Sequence, residues 1–329
     1  MGQEFTLNRR AFLGAAAGTA AAVATASWAP SAIGQAPLVP PGRLGIQLFT
    51  VRDAISRRDM SVIDPLTGEP LRGGFRGVFE VLAEARIREI EFAGYGQGAN
   101  GPITVAEIRA LLDAYELKGI GTHIGYTQFL NNIEQVLDDA ETLGLPHVGT
   151  ANSPGAVHGE TTEGYKRAAE DFNNFGAAAA ARGMRFYQHN HSGEFAIDPT
   201  TGIRLYDTIL AETDPELVFF ELDIFWAYVG QSRFPGFEPL QLVVDQPRRF
   251  PLYHVKDGVM DGGPSFGWTM TDVGDGQIDF QTFFTVAPHK GYRSYLIERD
   301  TAPGGATDPG RSFRTAQRSA DYLLGLRAA

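Results

Sequence analysis

Short runs of apolar residues alternate with amphipathic stretches along the chain from Leu44 onward. Eight of these runs are rich in Val, Ile, Leu, Phe or Tyr and are bounded by Gly, Pro or a polar residue, which is typical of β-strands. The predicted strands are Leu44–Thr50, Glu89–Ala93, Leu117–His123, His147–Ala151, Met184–Asn190, Leu217–Asp223, Pro251–Lys256 and Tyr292–Glu298.

The stretches between these runs carry apolar residues at helical spacing, and several have clear start and stop signals. Thr104 followed by Glu107 forms a capping-box pattern, and Gly144 and Gly183 are typical helix stops. The predicted helices are Phe75–Ala85, Val105–Tyr115, Asn131–Leu143, Thr162–Arg182, Phe280–Ala287 and Phe313–Leu326.

Alternating strands and helices favour a parallel sheet, and eight such units in one chain favour closure into an α/β fold, the (β/α)8 TIM barrel. An open doubly wound sheet would usually show a glycine-rich turn after its first strand. Here Val51-Arg52-Asp53 follows instead, so we expect one TIM-barrel catalytic domain over residues 37–329. Ala54–Gly74 and Asp257–Gly276 are predicted to be long loops on the face that carries barrel active sites.

The first 36 residues have a different pattern. Arg9 and Arg10 precede Phe12-Leu13 and a run of small, mildly apolar residues that is too short and Ala-rich for a spanning helix. This resembles a bacterial twin-arginine signal, with cleavage after Ala26 or Ala36 both open. We therefore expect residues 1–36 to be a twin-arginine signal peptide and linker. The protein is expected to be periplasmic or secreted, without stable insertion into the membrane.

Composition narrows the possible chemistry. The chain has no cysteine, which excludes disulfides and thiolate metal sites, so any metal must be bound by His, Asp, Glu or water. Its formal net charge of −11 disfavours a nucleic-acid partner. A small-molecule partner is expected, and a homo-oligomer is possible.

Ionisable residues follow the last four predicted strands. Active sites of β/α barrels are built from the ends of several strands at this face, and imidazole with carboxylate ligands suits Mn²⁺, Co²⁺, Zn²⁺ or Fe²⁺ better than Mg²⁺ or Ca²⁺. The segments are His189-Asn190-His191-x-x-Glu194-Phe195, Glu221-Leu222-Asp223-x-x-Trp226, His254-x-Lys256-Asp257 and Ile297-Glu298-x-Asp300.

The order of these four segments resembles the xylose isomerase-like sugar phosphate isomerase/epimerase family. The first strand, Gly45–Asp53, and the segment Val273–Phe280 are also similar to that family, so the resemblance spans nearly all of residues 37–329. The resemblance implies a TIM barrel that holds a divalent metal, usually Mn, Co or Zn, with ligands from strands five to eight.

Carried over by position, the resemblance implies Asp223, His254 and Glu298 as metal ligands. His189 is the fourth ligand at a position where the family usually has Glu, with Glu194 as the alternative. Trp226 stands where other members carry a substrate-binding His. Glu221 is expected at a different depth and to be structural.

The ligand set indicates chemistry through an enediolate next to a carbonyl. Glu298 is the expected base, His189, His191 or Glu194 returns or relays a proton on the other side, and Lys256 stabilises negative charge. The candidates for substrate binding are His123, which ends strand three, and the aromatic side chains of Phe49, Trp226 and Tyr95.

We therefore predict a metal-dependent isomerase, epimerase or related lyase. Export makes an unphosphorylated sugar, keto-sugar, cyclitol or glycoside the expected substrate. Two alternatives stay open, namely a sugar-binding barrel without catalysis and a multi-zinc endonuclease of the same superfamily. The second alternative is disfavoured by the acidic charge.

Overall fold

The eight predicted strands form a nearly closed parallel barrel in the computed structural model, which describes residues 35–57, 62–94, 103–287 and 293–328. The barrel strands are β1 (Leu44–Gln47), β2 (Glu89–Phe92), β3 (Lys118–Thr122), β4 (His147–Thr150), β5 (Arg185–His189), β6 (Val218–Asp223), β7 (Leu252–Val255) and β10 (Ser294–Ile297), while β8 (Asp257–Gly263) and β9 (Gly267–Thr271) lie outside the barrel. The order around the barrel is β3-β2-β1-β10-β7-β6-β5-β4. The predicted (β/α)8 TIM barrel is confirmed.

The two outermost strands of this order, β3 and β4, meet through a parallel bridge between His123 and Gly149. Glycine is required near this seam because the Tyr187 side chain crosses the barrel interior there. A Cβ on Gly149 would lie 2.4 Å from the Tyr187 backbone oxygen and 2.6 Å from its ring, and one on Gly121 would lie 2.9 Å from its hydroxyl. These small positions let Tyr187 reach the carboxylate of Glu91 on β2.

Helices cover the outside of the barrel, and the six predicted ones are all present. The structure gives α1 (Arg52–Ile55), α2 (Gly74–Glu84), α3 (Val105–Ala114), α4 (Tyr126–Leu143), α5 (Gly155–His158), α6 (Thr162–Ala181), α7 (Leu205–Glu212), α8 (Ile224–Arg233), α9 (Pro239–Asp245), α10 (Phe280–Val286) and α11 (Arg311–Gly325). The capping box of Thr104 and Glu107 is confirmed. Helix α8 was not predicted because its apolar side chains are buried over most of its surface and leave no polar stripe.

The segment Asp257–Gly276, predicted to be a loop, instead contains an antiparallel hairpin of β8 (Asp257–Gly263) and β9 (Gly267–Thr271). The Asp257 carboxylate fastens the base of this hairpin. It accepts hydrogen bonds from the backbone N–H groups of Gly258, Gly274 and Gly276 at 2.8–3.1 Å and from Ile278 at 3.3 Å. The local pattern reads as a loop because β8 carries three glycines and two aspartates, residues that are rare in strands.

Gln35–Ala329 forms one compact unit. Among the described residues, none of the helices combines the length and the apolar character needed to cross a bilayer. Residues 1–34, which include Arg9 and Arg10, lie outside the described residues, so the signal peptide stays a prediction.

Candidate metal centre and active site

The structure brings together the four side chains that were predicted as metal ligands. His189 ends β5, Asp223 ends β6, His254 lies in β7, and Glu298 directly follows β10. All four are buried, and one potential ligand atom from each lies within 4.8 Å of the others. The parallel register is the cause, because it pairs Asp223 with His254 and places the ends of neighbouring strands at one level. We call these four residues the outer group.

Asp223 shows how well the outer group suits a cation. One carboxylate oxygen, Oδ1, caps α8 by accepting a hydrogen bond from the Trp226 N–H at 2.8 Å. The other, Oδ2, is buried and accepts no hydrogen bond of suitable geometry; the Lys256 ammonium lies 3.1 Å from it as an ion pair, and His189 Nε2 and His254 Nδ1 are each 3.9 Å away. A buried carboxylate oxygen without a hydrogen bond is costly. The two imidazoles and two carboxylates of the outer group fit a divalent metal such as Mn²⁺, Co²⁺ or Zn²⁺.

A second cluster, the inner group of His123, His189, Glu221 and His254, lies against the first. Glu221 Oε2 is its centre, 2.8 Å from His123 Nε2 and 3.1 Å from both His189 Nδ1 and His254 Nε2. Glu221 was expected at a different depth and to be structural; it does lie deeper than Asp223, and it contacts three histidines of the two groups. It precedes Asp223 by two residues on β6, and side chains two apart in a strand share a face, so both enter the barrel interior.

Glu91 at the end of β2 is a member of the site that the sequence analysis did not identify. Its Oε2 lies 2.6 Å from His254 Nε2 and accepts a hydrogen bond from Gln47 Nε2 at 2.8 Å. Its Oε1 accepts a hydrogen bond from the Tyr187 hydroxyl. A signal was present in the sequence. The strand Glu89–Phe92 is buried throughout, and a glutamate buried in a strand needs charged or hydrogen-bonding partners.

Lys256 supplies a positive charge to the outer group. Its buried ammonium lies 3.1 Å from Asp223 Oδ2, 2.9 Å from Glu298 Oε2 and 2.7 Å from Asp300 Oδ1. Burial lowers the pKa of Lys256, but these three carboxylates outweigh that effect and hold its pKa well above the ordinary value. The lysine therefore stays charged, although its one charge faces several buried carboxylates.

The two histidines of the outer group differ in charge. Burial, together with repulsion from His254 and other imidazoles, lowers the pKa of His189 far below its usual range, so this side chain is neutral. Burial also opposes charging of His254, but Glu221, Glu298 and Glu91 raise its pKa well above the usual value. Without a metal, His254 is therefore an imidazolium, and its Nδ1 lies 2.7 Å from Glu298 Oε2.

The carboxylates of the site also differ from each other. Burial raises the pKa of Asp223 to about 6 despite the opposing charges of Lys256 and His254. Burial works in the same direction on Glu221 and Glu298, yet nearby His and Lys charges keep the pKa of both well below the usual range. Burial and the charge of Glu221 raise the pKa of Glu91. The excess of buried carboxylates over fixed cations again favours a bound metal.

A cavity of about 270 Å³ opens onto two residues of the outer group, His189 and Glu298. Its volume is near the lower limit for small-molecule sites, which suits a single-ring substrate. The described residues that line it are Phe49, Ala93, His123, Ala151, His189, His191, Lys256, Glu298 and Asp300.

Most of the other predicted site residues border this cavity. Phe49 is 39% exposed, and the Arg52 guanidinium stacks on its ring at 3.8 Å. His123 reaches the cavity from the end of β3, and His191 lines it with a pKa that burial lowers to about 4. Tyr95 lies outside the described residues.

Glu194 and Trp226 are placed differently from the prediction, since neither is among the described residues that line the cavity. Glu194 is buried and accepts a hydrogen bond from the His191 backbone N–H at 3.0 Å. The Trp226 ring is only 9% exposed and packs behind the cavity, 5.8 Å from the His191 ring and 5.6 Å from the Lys256 ammonium. Both side chains support the lining residues from behind and do not face the cavity.

Comparison with protein families gives a match to a model described as Xylose isomerase-like TIM barrel over residues 79–321. Among curated proteins, the chain is 29% identical over 161 residues to an inosose dehydratase of Clostridium perfringens, covering 43% of this chain and 49% of that protein. It is 25% identical over 269 residues to an inosose dehydratase of Klebsiella pneumoniae, covering 70% and 85%. The chain thus spans about half the length of several curated relatives it matches.

Among solved structures, the chain is similar to a sugar phosphate isomerase/epimerase of Parabacteroides distasonis, with a TM-score of 0.66, 23% identity, and coverage of 86% of this chain and 94% of the other. It is also similar to an IOLI protein with a bound zinc atom, with a TM-score of 0.60, 12% identity, and coverage of 86% and 98%. At these identities the similarity supports the barrel fold.

Proposed function

We propose that this chain, which belongs to the xylose isomerase-like TIM barrel family, is a metal-dependent enzyme acting on an unphosphorylated keto-cyclitol or keto-sugar. It removes a proton next to the carbonyl and, as the favoured outcome, eliminates water. The observation that carries the proposal is the buried outer group, two of whose residues line a small cavity, with Oδ2 of Asp223 accepting no hydrogen bond among the four side chains.

His189, Asp223, His254 and Glu298 would hold the metal. When bound, a divalent metal polarises a carbonyl oxygen and stabilises the negative charge that develops on it. The protein supplies the remaining parts of the reaction. The ionised carboxylate of Glu298 lines the cavity and can accept the proton from the carbon, as can the neutral imidazole of His191.

Lys256 has two functions in this scheme. Its ammonium lines the cavity and stays charged, so it can stabilise an oxyanion of the substrate or the departing hydroxide. It also keeps Asp223 and Glu298 close together by lying within 3.1 Å of a carboxylate oxygen of each.

Elimination is favoured over isomerisation or epimerisation because the curated relatives, at 25–29% identity, are inosose dehydratases. All three outcomes begin with the same proton removal, so one ligand set can serve each of them. Elimination needs in addition a positive charge or hydrogen-bond donor that stabilises the leaving hydroxide, and Lys256 meets this requirement among the described lining residues.

The charges around the cavity support a substrate without phosphate. Lys256, the one basic side chain besides histidine among the described lining residues, already contacts three carboxylates. The neighbouring Arg52 donates hydrogen bonds to the backbone oxygens of Phe49 and Asp300. A phosphate group usually requires arginine, lysine or a helix N-terminus with free donors.

Incubation of the metal-loaded protein with ketone substrates in D₂O tests the proposal. The panel comprises an inosose, an unphosphorylated keto-sugar and a keto-sugar phosphate, followed by NMR for exchange at the carbon next to the carbonyl and by mass spectrometry for loss of water. We expect exchange and water loss with the inosose or the free keto-sugar, and neither after treatment with EDTA. Exchange with a rearranged product and no water loss would favour an isomerase or epimerase.

Two variants separate catalysis from binding. Glu298→Gln should abolish exchange, whereas Glu89→Gln, which alters another buried barrel glutamate that pairs with Arg43, should retain it. If the wild-type protein binds the panel but neither exchanges nor eliminates, the sugar-binding alternative replaces the enzyme. Cleavage of DNA by the metal-loaded protein would instead favour the endonuclease alternative.

We further propose periplasmic or secreted localisation through twin-arginine export, on the basis of Arg9 and Arg10. Replacing both with lysine should leave the protein in the cytoplasm of a bacterial host that has this pathway, as measured by cell fractionation. Export that persists in the double-lysine variant would contradict this proposal.

A further inference from the structure

The two histidines of the outer group each have two ring nitrogens, and the structure gives the two nitrogens different surroundings. His189 directs Nε2 towards Asp223 and Nδ1 towards Glu221 Oε2 at 3.1 Å. His254 directs Nδ1 towards Asp223 and Glu298, and Nε2 towards Glu91 Oε2 at 2.6 Å and Glu221 Oε2 at 3.1 Å. Each ring therefore lies between a carboxylate of the outer group and at least one deeper carboxylate.

An ionised carboxylate can only accept hydrogen bonds, so the nitrogen that faces it must carry the proton. Applied to Glu221, this rule assigns the N–H of His189 to Nδ1 and leaves the lone pair on Nε2, on the side of the outer group. The same rule assigns an N–H to His254 Nε2, which faces Glu91 and Glu221. Nδ1 faces Asp223 and Glu298 of the outer group, so a cation held there would replace the Nδ1 proton. In metal sites, such hydrogen bonds fix the ring orientation and make the ligand nitrogen more basic.

Glu221 has a second effect, which is electrostatic. A histidine at position 189 adds no negative charge to the outer group, unlike a glutamate ligand. Glu221 places a fully buried carboxylate one hydrogen bond away from His189. Glu221 Oε1 makes no hydrogen bond, so Oε2 alone serves His123, His189 and His254. This convergence of three imidazoles on one oxygen is more than a purely structural glutamate requires.

We infer that Glu221, assisted by Glu91, is a positioning residue: it sets the tautomer of His189 and holds the N–H of His254 on Nε2, and thereby directs His189 Nε2 and His254 Nδ1 towards the metal centre. This inference rests on the proposed function, because it assigns a role to the deeper carboxylates of the same site. It also predicts no second metal in the inner group, because the ring nitrogens that face Glu221 would carry protons.

The experiment measures zinc binding to the purified protein by competition with a fluorescent chelator, without reference to activity. Glu221→Gln keeps the size of the side chain and removes its charge, and we expect zinc affinity to fall by about 10–100-fold. Glu91→Gln should also weaken binding, because it changes the acceptor for His254. Glu89→Gln is the matched control and should bind zinc as the wild type does, because its carboxylate pairs with Arg43 instead of a histidine.

The tautomers are read separately by NMR of the metal-free protein labelled with ¹⁵N-histidine. The seven histidines are few enough for assignment by substitution, and the His189 signal is identified with His189→Gln. We expect the Nδ1–H tautomer for His189 in the wild type and a changed tautomer population in Glu221→Leu. This second variant removes the acceptor altogether, and circular dichroism verifies that it is folded.

Several results would overturn the inference. A wild-type His189 with its proton on Nε2, equal zinc affinity of wild type and Glu221→Gln, or two zinc ions per chain would each contradict it. Absence of zinc binding by the wild type would overturn both this inference and the proposed function. Equal binding by wild type and Glu221→Gln would leave the proposed function intact.

Discussion

Glu194 was predicted to take part in catalysis, and its position in the structure leads to a different expectation for Glu194→Gln. The carboxyl is almost fully buried behind the cavity. Burial raises its pKa from 4.5 to about 7, with smaller contributions from Glu160 and Asp223, while its own backbone N–H and that of His191 oppose the rise. Below this pKa the folded protein holds a proton that the unfolded chain has released.

The magnitude follows from the linkage between protonation and folding. Between pH 4.5 and 7 the folded state binds more protons at Glu194 than the unfolded state, so this residue makes the free energy of unfolding decrease as pH rises. One pH unit corresponds to about 1.4 kcal/mol, so the loss between pH 5 and pH 8 is roughly 2–3 kcal/mol. A glutamine of equal size has no such loss, and Glu194→Gln should gain that much stability relative to wild type over this range.

Urea denaturation monitored by tryptophan fluorescence at several pH values measures this difference, with a chelator present so that metal binding does not contribute. Glu216→Gln, which changes an exposed glutamate, controls for the loss of a carboxylate elsewhere. We also expect Glu194→Gln to retain activity within about tenfold of wild type, since its carboxyl does not line the cavity. A stability difference that is the same at pH 5 and pH 8 would refute the reasoning, and a thousandfold loss of turnover with unchanged stability would restore the catalytic role.

Three further substitutions test separate parts of the structure. Asp223→Asn keeps the helix cap but removes the charge of a predicted ligand. The metal content after dialysis, measured by elemental analysis, should fall at least tenfold. The control Asp279→Asn, at an exposed helix cap, should keep the wild-type metal content. Thr104→Ala removes the cap of α3 and should cost about 1 kcal/mol in urea denaturation. Gly276→Ala places a Cβ 2.0 Å from Asp257 Oδ1 and should cost roughly 1–3 kcal/mol, measured in the same way. Wild-type behaviour of Asp223→Asn, Thr104→Ala or Gly276→Ala would contradict the local geometry on which that prediction rests.

The sequence predicted the barrel and the four residues of the outer group because both depend on local patterns. Most barrel strands contain a buried apolar run, and each predicted ligand lies at or next to the end of its strand. Parallel strands then bring these ends together without information about any individual contact. Glu298 and His189 could be related in this way although they are far apart in the chain.

The contacts of the inner group and of Glu91 could not be found from the same patterns. Glu91 and His254 are separated by 163 positions in the chain, and their contact depends on the closure of the barrel. Glu221 lies before the end of its strand, where a charged residue is indistinguishable from one that faces solvent. The position of Trp226 behind the cavity, and not in it, depends on how α8 starts directly at Asp223.

The hairpin of β8 and β9 has a consequence for how this barrel can be redesigned. Its base is held by backbone hydrogen bonds to Asp257, next to Lys256, whereas Met260 and Phe266 near its tip are more than half exposed. Changes in length or composition at the tip are therefore separated from the ligands by a fixed anchor. A library confined to residues 260–266 would vary the exposed tip of the hairpin and leave the anchor at Asp257 and the outer group unchanged, which makes this tip a suitable place to insert new loops.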